Sequence, residues 1–344
     1  MKSKVHPAIA SLSLGRAYAG HLLSDKIAAA AAVGFQGIEC FYEDLEYHTK
    51  TFSPNDDGLV HDKSPNDRDL CAAAHDFRLL ADKHNLKVIV LQPFMHYEGL
   101  TDPAQRQQRL EKLDLWMKLA SIIGTDLIQV PSNFLLKGVT GDIGRLVEDL
   151  QLLADKGAEH DPPVRFAYEG VCWGTFIDTW RKAWDVVKVV DRKNFGLCLD
   201  AFHIAGREWA DPTTESGVVG SGVENATELL HKSLKDMAAT VDVSKVYYVQ
   251  FADARKPKTP IIPVRGQTAR MTWSRQMRVF AGESDGYMPV DIVLESILAA
   301  PPVGLGYTGW LSVELFNTSL EGGDGQIVPE HAARAWRSWL SVPP

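Results

Sequence analysis

Four apolar runs in the C-terminal two-thirds of the chain each end in an oxygen-bearing side chain: Val164 to Glu169, Phe195 to Asp200, Val246 to Gln250 and Trp310 to Glu314. Runs of this length and bulk, bounded by turn residues, predict fully buried parallel strands. Their polar ends then share one rim, the rim where parallel barrels carry their chemistry. Three carboxylates converging there would repel one another unless a cation neutralised them.

The rest of the chain fits the same repeat. Strands are expected at Ala8–Leu14, Gly37–Phe41, Leu86–Gln92 and Asp126–Val130, separated by helices at 24–34, 67–84 and 102–123. Asp102-Pro103 is a helix-start signal. Further helices are expected at 142–158, 175–190, 224–239, 290–300 and 329–340. Alternation of this kind predicts an α/β fold, a (β/α)8 TIM barrel formed by a single catalytic domain over residues 1–344. Residues 43–66, 204–223 and 252–289, after strands two, six and seven, are expected as long loops over the mouth. The last carries Arg255, Lys256, Lys258, Arg265, Arg270, Arg275 and Arg278 and is long enough to suggest a functional lid.

The formal charge is −8, with no basic block of the kind that follows a phosphate backbone, which argues against nucleic-acid binding. The chain shows four cysteines without a CxxC pair, the usage of a reducing compartment. The Ala-rich run 28–33 is too short to span a bilayer. A cytoplasmic enzyme with no membrane partner is the expectation; subunit number stays open.

Glu169, Asp200, Gln250 and Glu314 offer oxygen donors only, which suits Mg²⁺, Mn²⁺ or Co²⁺ better than structural zinc. His203, three residues after Asp200, is expected to begin the loop above the ion as a general base or acid rather than a ligand. A metal that polarises a ketone beside such a base serves isomerisation, epimerisation or loss of a β-leaving group. Gln92 at the end of strand three points at the same mouth and is a candidate substrate contact, with Trp173 as a wall for a ring. Glu39 is equally an internal hydrogen-bonding group.

The segments Ser13 to His21, Leu91 to Gly99, Gln129 to Phe134, Tyr168 to Trp173, Tyr248 to Gln250 and Glu314 to Asn317 together resemble the fungal 3-dehydroshikimate dehydratases of the quinate pathway, within the xylose isomerase-like barrels. The resemblance covers nearly the whole chain. It implies Glu169, Asp200, Gln250 and Glu314 as metal ligands, His203 as base, and Ser274 and Arg278 as groups that meet substrate. It also implies dehydration of 3-dehydroshikimate to protocatechuate. Met95 stands where bacterial members carry an arginine, so the substrate carboxylate needs another partner, and Arg16, with Arg278, is the expected one. The rival on the same barrel is a ketose epimerase or isomerase using Glu169 and Glu314 as proton carriers.

Overall fold

In the computed structural model, which describes residues 5–52, 65–264 and 266–342, eight parallel strands close into a barrel. The barrel strands are β1 (His6–Ala10), β2 (Gly37–Phe41), β3 (Lys87–Gln92), β4 (Leu127–Pro131), β5 (Arg165–Glu169), β6 (Phe195–Asp200), β7 (Val246–Phe251) and, after a short hairpin of β8 (Asp253–Ala254) with β9 (Arg278–Val279), β10 (Trp310–Val313). The order around the barrel is β1-β10-β7-β6-β5-β4-β3-β2. Around them lie α1 (Leu23–Val33), α2 (Tyr42–His48), α3 (Asp67–Lys83), α4 (Pro103–Ile123), α5 (Ile143–Glu159), α6 (Trp180–Val190), α7 (Ala201–Glu208), α8 (Val223–Thr240), α9 (Ala269–Met277), α10 (Val290–Leu298) and α11 (Ile327–Ser341).

Caps explain most helix starts. Asp102, Asp142 and Thr179 each accept a backbone N–H from the first turn of α4, α5 and α6, satisfying donors that a helix start leaves open. The Thr179 cap is also why α6 begins at Trp180 instead of Thr175.

Four expectations change. The first strand stops at Ala10, and Ser11–Leu14 forms a 3-10 turn, because Ser13 Oγ bonds the Val313 carbonyl (3.3 Å) and accepts from Leu315 N (2.8 Å) in place of a continued ladder. The loop after β2 opens as helix α2, with Glu43 and Asp44 in its first turn, where the helix dipole favours acids. Lys26 of α1 fixes that turn through a fully buried ion pair with Asp44 (2.5 Å). Residues 53–64 of the expected 43–66 loop, and Arg265, lie outside the described residues. After β6 the chain turns directly into α7, because Asp200 caps it by accepting Phe202 N at 2.7 Å. Finally, 252–289 is structured by the hairpin and by α9, which Thr268 caps through Met271 N.

A buried acid braces the β3 end of the mouth. Glu98 takes hydrogen bonds from Asn133 N (2.6 Å) and Tyr168 OH (3.0 Å), while its second oxygen has no partner. Burial pushes its pKa up to about 7. A folded pKa above the unfolded value of about 4.3 means that the group's stabilising contribution is present at low pH and is lost as pH rises through 7. Glu98→Gln keeps an acceptor for both donors. It is expected to raise the melting temperature at pH 8 and to flatten the fall in stability between pH 5 and 8, a change of roughly 3 kcal/mol across that window; thermal melts at both pH values measure it.

Candidate active site

The strand ends deliver their polar side chains to the floor of a cavity of about 550 Å³ at the C-terminal mouth. Glu169 closes β5, Asp200 closes β6, Gln250 lies one residue from the end of β7, and Glu314 follows β10. All four are at most 4% exposed. Glu169 and Glu314 line the cavity wall.

Arg278 sits among these acids. Its Nη1 donates to Asp200 Oδ2 and Glu314 Oε2, both at 3.1 Å, and its Nε donates to Ser274 Oγ at 3.1 Å. The guanidinium also lies 3.9 Å from the Phe202 ring centre. The hairpin places this arginine: β9 begins at Arg278 and pairs with β8, which follows β7 almost directly. Ser274 precedes it by one turn, on α9.

Glutamine amides tie the remaining carboxylates together. Gln92 Nε2 and Gln250 Nε2 each donate to both Glu39 Oε2 and Glu314 Oε1, at 2.9–3.0 Å. Gln250 Oε1 faces Cys198 Sγ at 3.2 Å. Gln129 Nε2 donates to Glu169 Oε2 at 2.6 Å, and Glu169 Oε1 has no hydrogen-bond donor.

His203 does not begin a loop. It lies in the first turn of α7, its Nε2 3.5 Å from Asp200 Oδ2 and 3.7 Å from Glu169 Oε1, so it stands within the acid group, not above it. Donor atoms of Glu169, Asp200 and His203 all fall within 4.8 Å of one another. The Cys172 N–H donates to Nδ1 at 3.2 Å, and Arg278 Nη2 approaches Nε2 at 3.3 Å. Trp173 packs edge-on against the imidazole, with ring centres 4.8 Å apart.

The electrostatics follow from crowding. Burial and the charge of Glu314 push Glu39 up to about 8. Burial, with Glu314 and Asp200 beside it, puts Glu169 well above its ordinary value. Burial also raises Asp200 and Glu314, against the pull of Arg278. His203 is driven well below 6.5 by burial and then by Arg278, which keeps it neutral. Four buried acids face one guanidinium, so positive charge is short at the floor. The clustered donor atoms of Glu169, Asp200 and His203 and the orphaned Glu169 Oε1 fit a divalent cation, which would displace the protons these acids otherwise hold.

Of the remaining expected residues, Arg16, Gln92, Trp173 and Ser274 all line the cavity. Arg16 is engaged by Glu43 through Nε (3.2 Å) and Nη2. Tyr42 and Trp116, stacked at 4.7 Å, form a wall that sequence reading missed, with Lys112 against both rings. Gln129 was visible within a motif but carried no assigned role; a glutamine beside a strand end in the same register as Gln92 was the available signal.

The chain matches the model of the xylose isomerase-like TIM barrel family over residues 27–340. It is 43% identical to the 3-dehydroshikimate dehydratase of Neurospora crassa, covering 99% of this chain and 94% of that protein. It is 31% identical to the 3-dehydroshikimate dehydratase of Pseudomonas aeruginosa over 86% of this chain, but spans only 36% of that protein. Among solved structures, a xylose isomerase-like TIM barrel/4-hydroxyphenylpyruvate dioxygenase fusion protein superposes with a TM-score of 0.71 at 27% identity, over 99% of this chain and 43% of the other. With the family model matching nearly its whole length, and a full-length 3-dehydroshikimate dehydratase as a relative, the chain belongs to the xylose isomerase-like TIM barrel family.

Proposed function

We propose that the chain, acting as one catalytic unit, is a metal-dependent 3-dehydroshikimate dehydratase that releases protocatechuate and water. The observation that carries this is the floor of the cavity: an excess of buried acids around a neutral imidazole. The Neurospora crassa relative supplies the substrate. Four free cysteines support a reducing compartment, and we assign the activity to the cytoplasm. Among the described residues, no helix is long and apolar enough to cross a membrane.

Glu169, Asp200 and Glu314 would hold the cation, joined by Gln250 once its amide turns its oxygen from Cys198 Sγ toward the acids. When bound, a divalent ion there supplies Lewis acidity toward a ketone oxygen. His203 takes the C6 proton at Nε2, working from the tautomer that carries its hydrogen on Nδ1 and giving up the Cys172 contact. Asp200 and Glu169, at 3.5 and 3.7 Å, balance the resulting imidazolium. Loss of that proton leaves a dienolate; the C5–O bond then breaks as the His203 imidazolium gives its proton to the departing hydroxyl, releasing water and restoring the neutral imidazole, and tautomerisation by loss of the C4 hydrogen yields the aromatic ring. Arg278 holds Asp200 and Glu314 in place by hydrogen bonds to both, so their oxygens are arranged before substrate arrives. Trp173 and Phe134, in edge contact at 6.3 Å, wall the ring and exclude water.

The test is the ultraviolet spectrum of 3-dehydroshikimate with chelator-stripped protein, before and after Mg²⁺, Mn²⁺ or Co²⁺. A protocatechuate spectrum that depends on added ion is expected. Folded protein that stays silent with every ion while epimerising a ketose would overturn the reading.

A further inference from the structure

We propose that the substrate carboxylate is gripped at the mouth of the barrel by Arg275 rather than by Arg16, with Lys112 lining the same cavity. The inference rests on the dehydratase reading and deepens it, because the carboxylate is what separates this substrate from the neutral sugars that other such barrels take.

Four cations line the cavity: Arg16, Lys112, Arg275 and Arg278. Two are already neutralised. Glu43 engages both Nε and Nη2 of Arg16 and also accepts from Ala17 N (3.1 Å), so one carboxylate takes the Nε–Nη2 edge and balances the charge of Arg16. Arg278 is taken by Asp200 and Glu314. Among the described residues, no carboxylate comes within ion-pair distance of Arg275 or Lys112.

The surroundings of these two cations are mostly positive, although Glu46 in the same lining offsets part of the Lys112 charge. Lys112 rests against the rings of Tyr42 and Trp116, at 5.1 and 5.6 Å. His96, next to the half-exposed and uncharged Met95, is held at about 4 by burial and then by the charges of Arg109, Arg275 and Lys112. Burial and the charge of Arg16 lower Arg275 in turn. Arg275, with the charge of Arg16 acting on it and, among the described residues, no carboxylate at ion-pair distance, makes a site whose energy falls when an anion enters.

The geometry suits this substrate. Arg275 follows Ser274 on α9, and Ser274 and Arg278 face the acid floor. Arg275 therefore stands on the wall beside the reacting groups, nearer the opening. The ketone and the carboxylate of 3-dehydroshikimate are meta to one another on the ring. A substrate whose ketone lies over the strand ends, with C6 toward His203, turns its carboxylate up the wall. A guanidinium fork there binds it through two parallel N–H bonds. A neutral sugar would leave the cation unpaired, a penalty that selects against it.

Arg275→Gln is expected to raise KM for 3-dehydroshikimate about 30-fold while kcat falls less than about threefold, the split that marks lost ground-state binding. A second readout isolates the carboxylate: competitive inhibition by protocatechuate and by catechol, the same ring without the acid. The wild-type enzyme should prefer protocatechuate. Arg275→Gln should reduce that preference about 30-fold with the catechol constant unchanged, whereas a merely structural defect would weaken both inhibitors. An unchanged preference in Arg275→Gln, or its loss in a parallel Arg16→Gln variant instead, overturns the assignment while leaving the dehydratase activity standing. A wild-type enzyme that ignores 3-dehydroshikimate altogether fails the dehydratase reading and takes this inference with it.

Discussion

Replacing His203 by asparagine is expected to cut kcat for 3-dehydroshikimate by about a thousandfold, within the range that a positioned proton carrier contributes. The loss should fall on kcat with little change in KM, because the imidazole meets a hydrogen that moves only in the transition state. Its environment sharpens the effect. The ring is 4% exposed, held between Trp173 and the acids of the floor, so no solvent molecule can take its place at the same angle. Steady-state kinetics of the metal-loaded variant, with circular dichroism to show that α7 persists, measure it. A variant retaining a tenth or more of wild-type kcat would remove His203 from the proton transfer and direct attention to Glu169, whose free oxygen faces the same space.

The second large effect concerns stability. Arg278→Met deletes the only cation among the described residues in contact with Asp200 and Glu314, leaving buried acids uncompensated. Loss of one partner from such a cluster costs about 3–5 kcal/mol, and the metal-free variant should melt far below the wild type. A divalent cation held by these acids, as proposed, would restore positive charge to them. Added Mn²⁺ should therefore raise the melting temperature of the variant more than that of the wild-type protein. An equal shift in both would mean that Arg278 and the cation act on separate groups.

The strand-end residues were legible because buried parallel strands have a pattern that survives without context: bulky apolar runs, then one oxygen. Glu169, Asp200, Gln250 and Glu314 all follow it. What stayed hidden was set by long-range partners. Helix α2 has seven residues, too few to show a period, and forms where Lys26 awaits Asp44. The stretch around α9 reads as a cationic loop because its apolar residues are few. Only the folded chain shows that Arg278 turns inward to the acids, 0% exposed, while Arg275, three residues away, stays open to the mouth. The ion pair of Arg16 with Glu43 was hidden for a similar reason, since Glu43 lies on an element that sequence did not predict.

Asp200 performs two tasks at once: one oxygen caps α7 and the other meets Arg278. The distance between the acid and His203 is thus fixed by a single helical turn and owes nothing to the length of any rim segment. The loops of the rim can lengthen or shorten while Asp200 and His203 keep their spacing. A foreign segment at 209–222, which bonds Arg270 through Ala210 and Asp211, would therefore alter the support of α9 and leave the spacing of Asp200 and His203 unchanged.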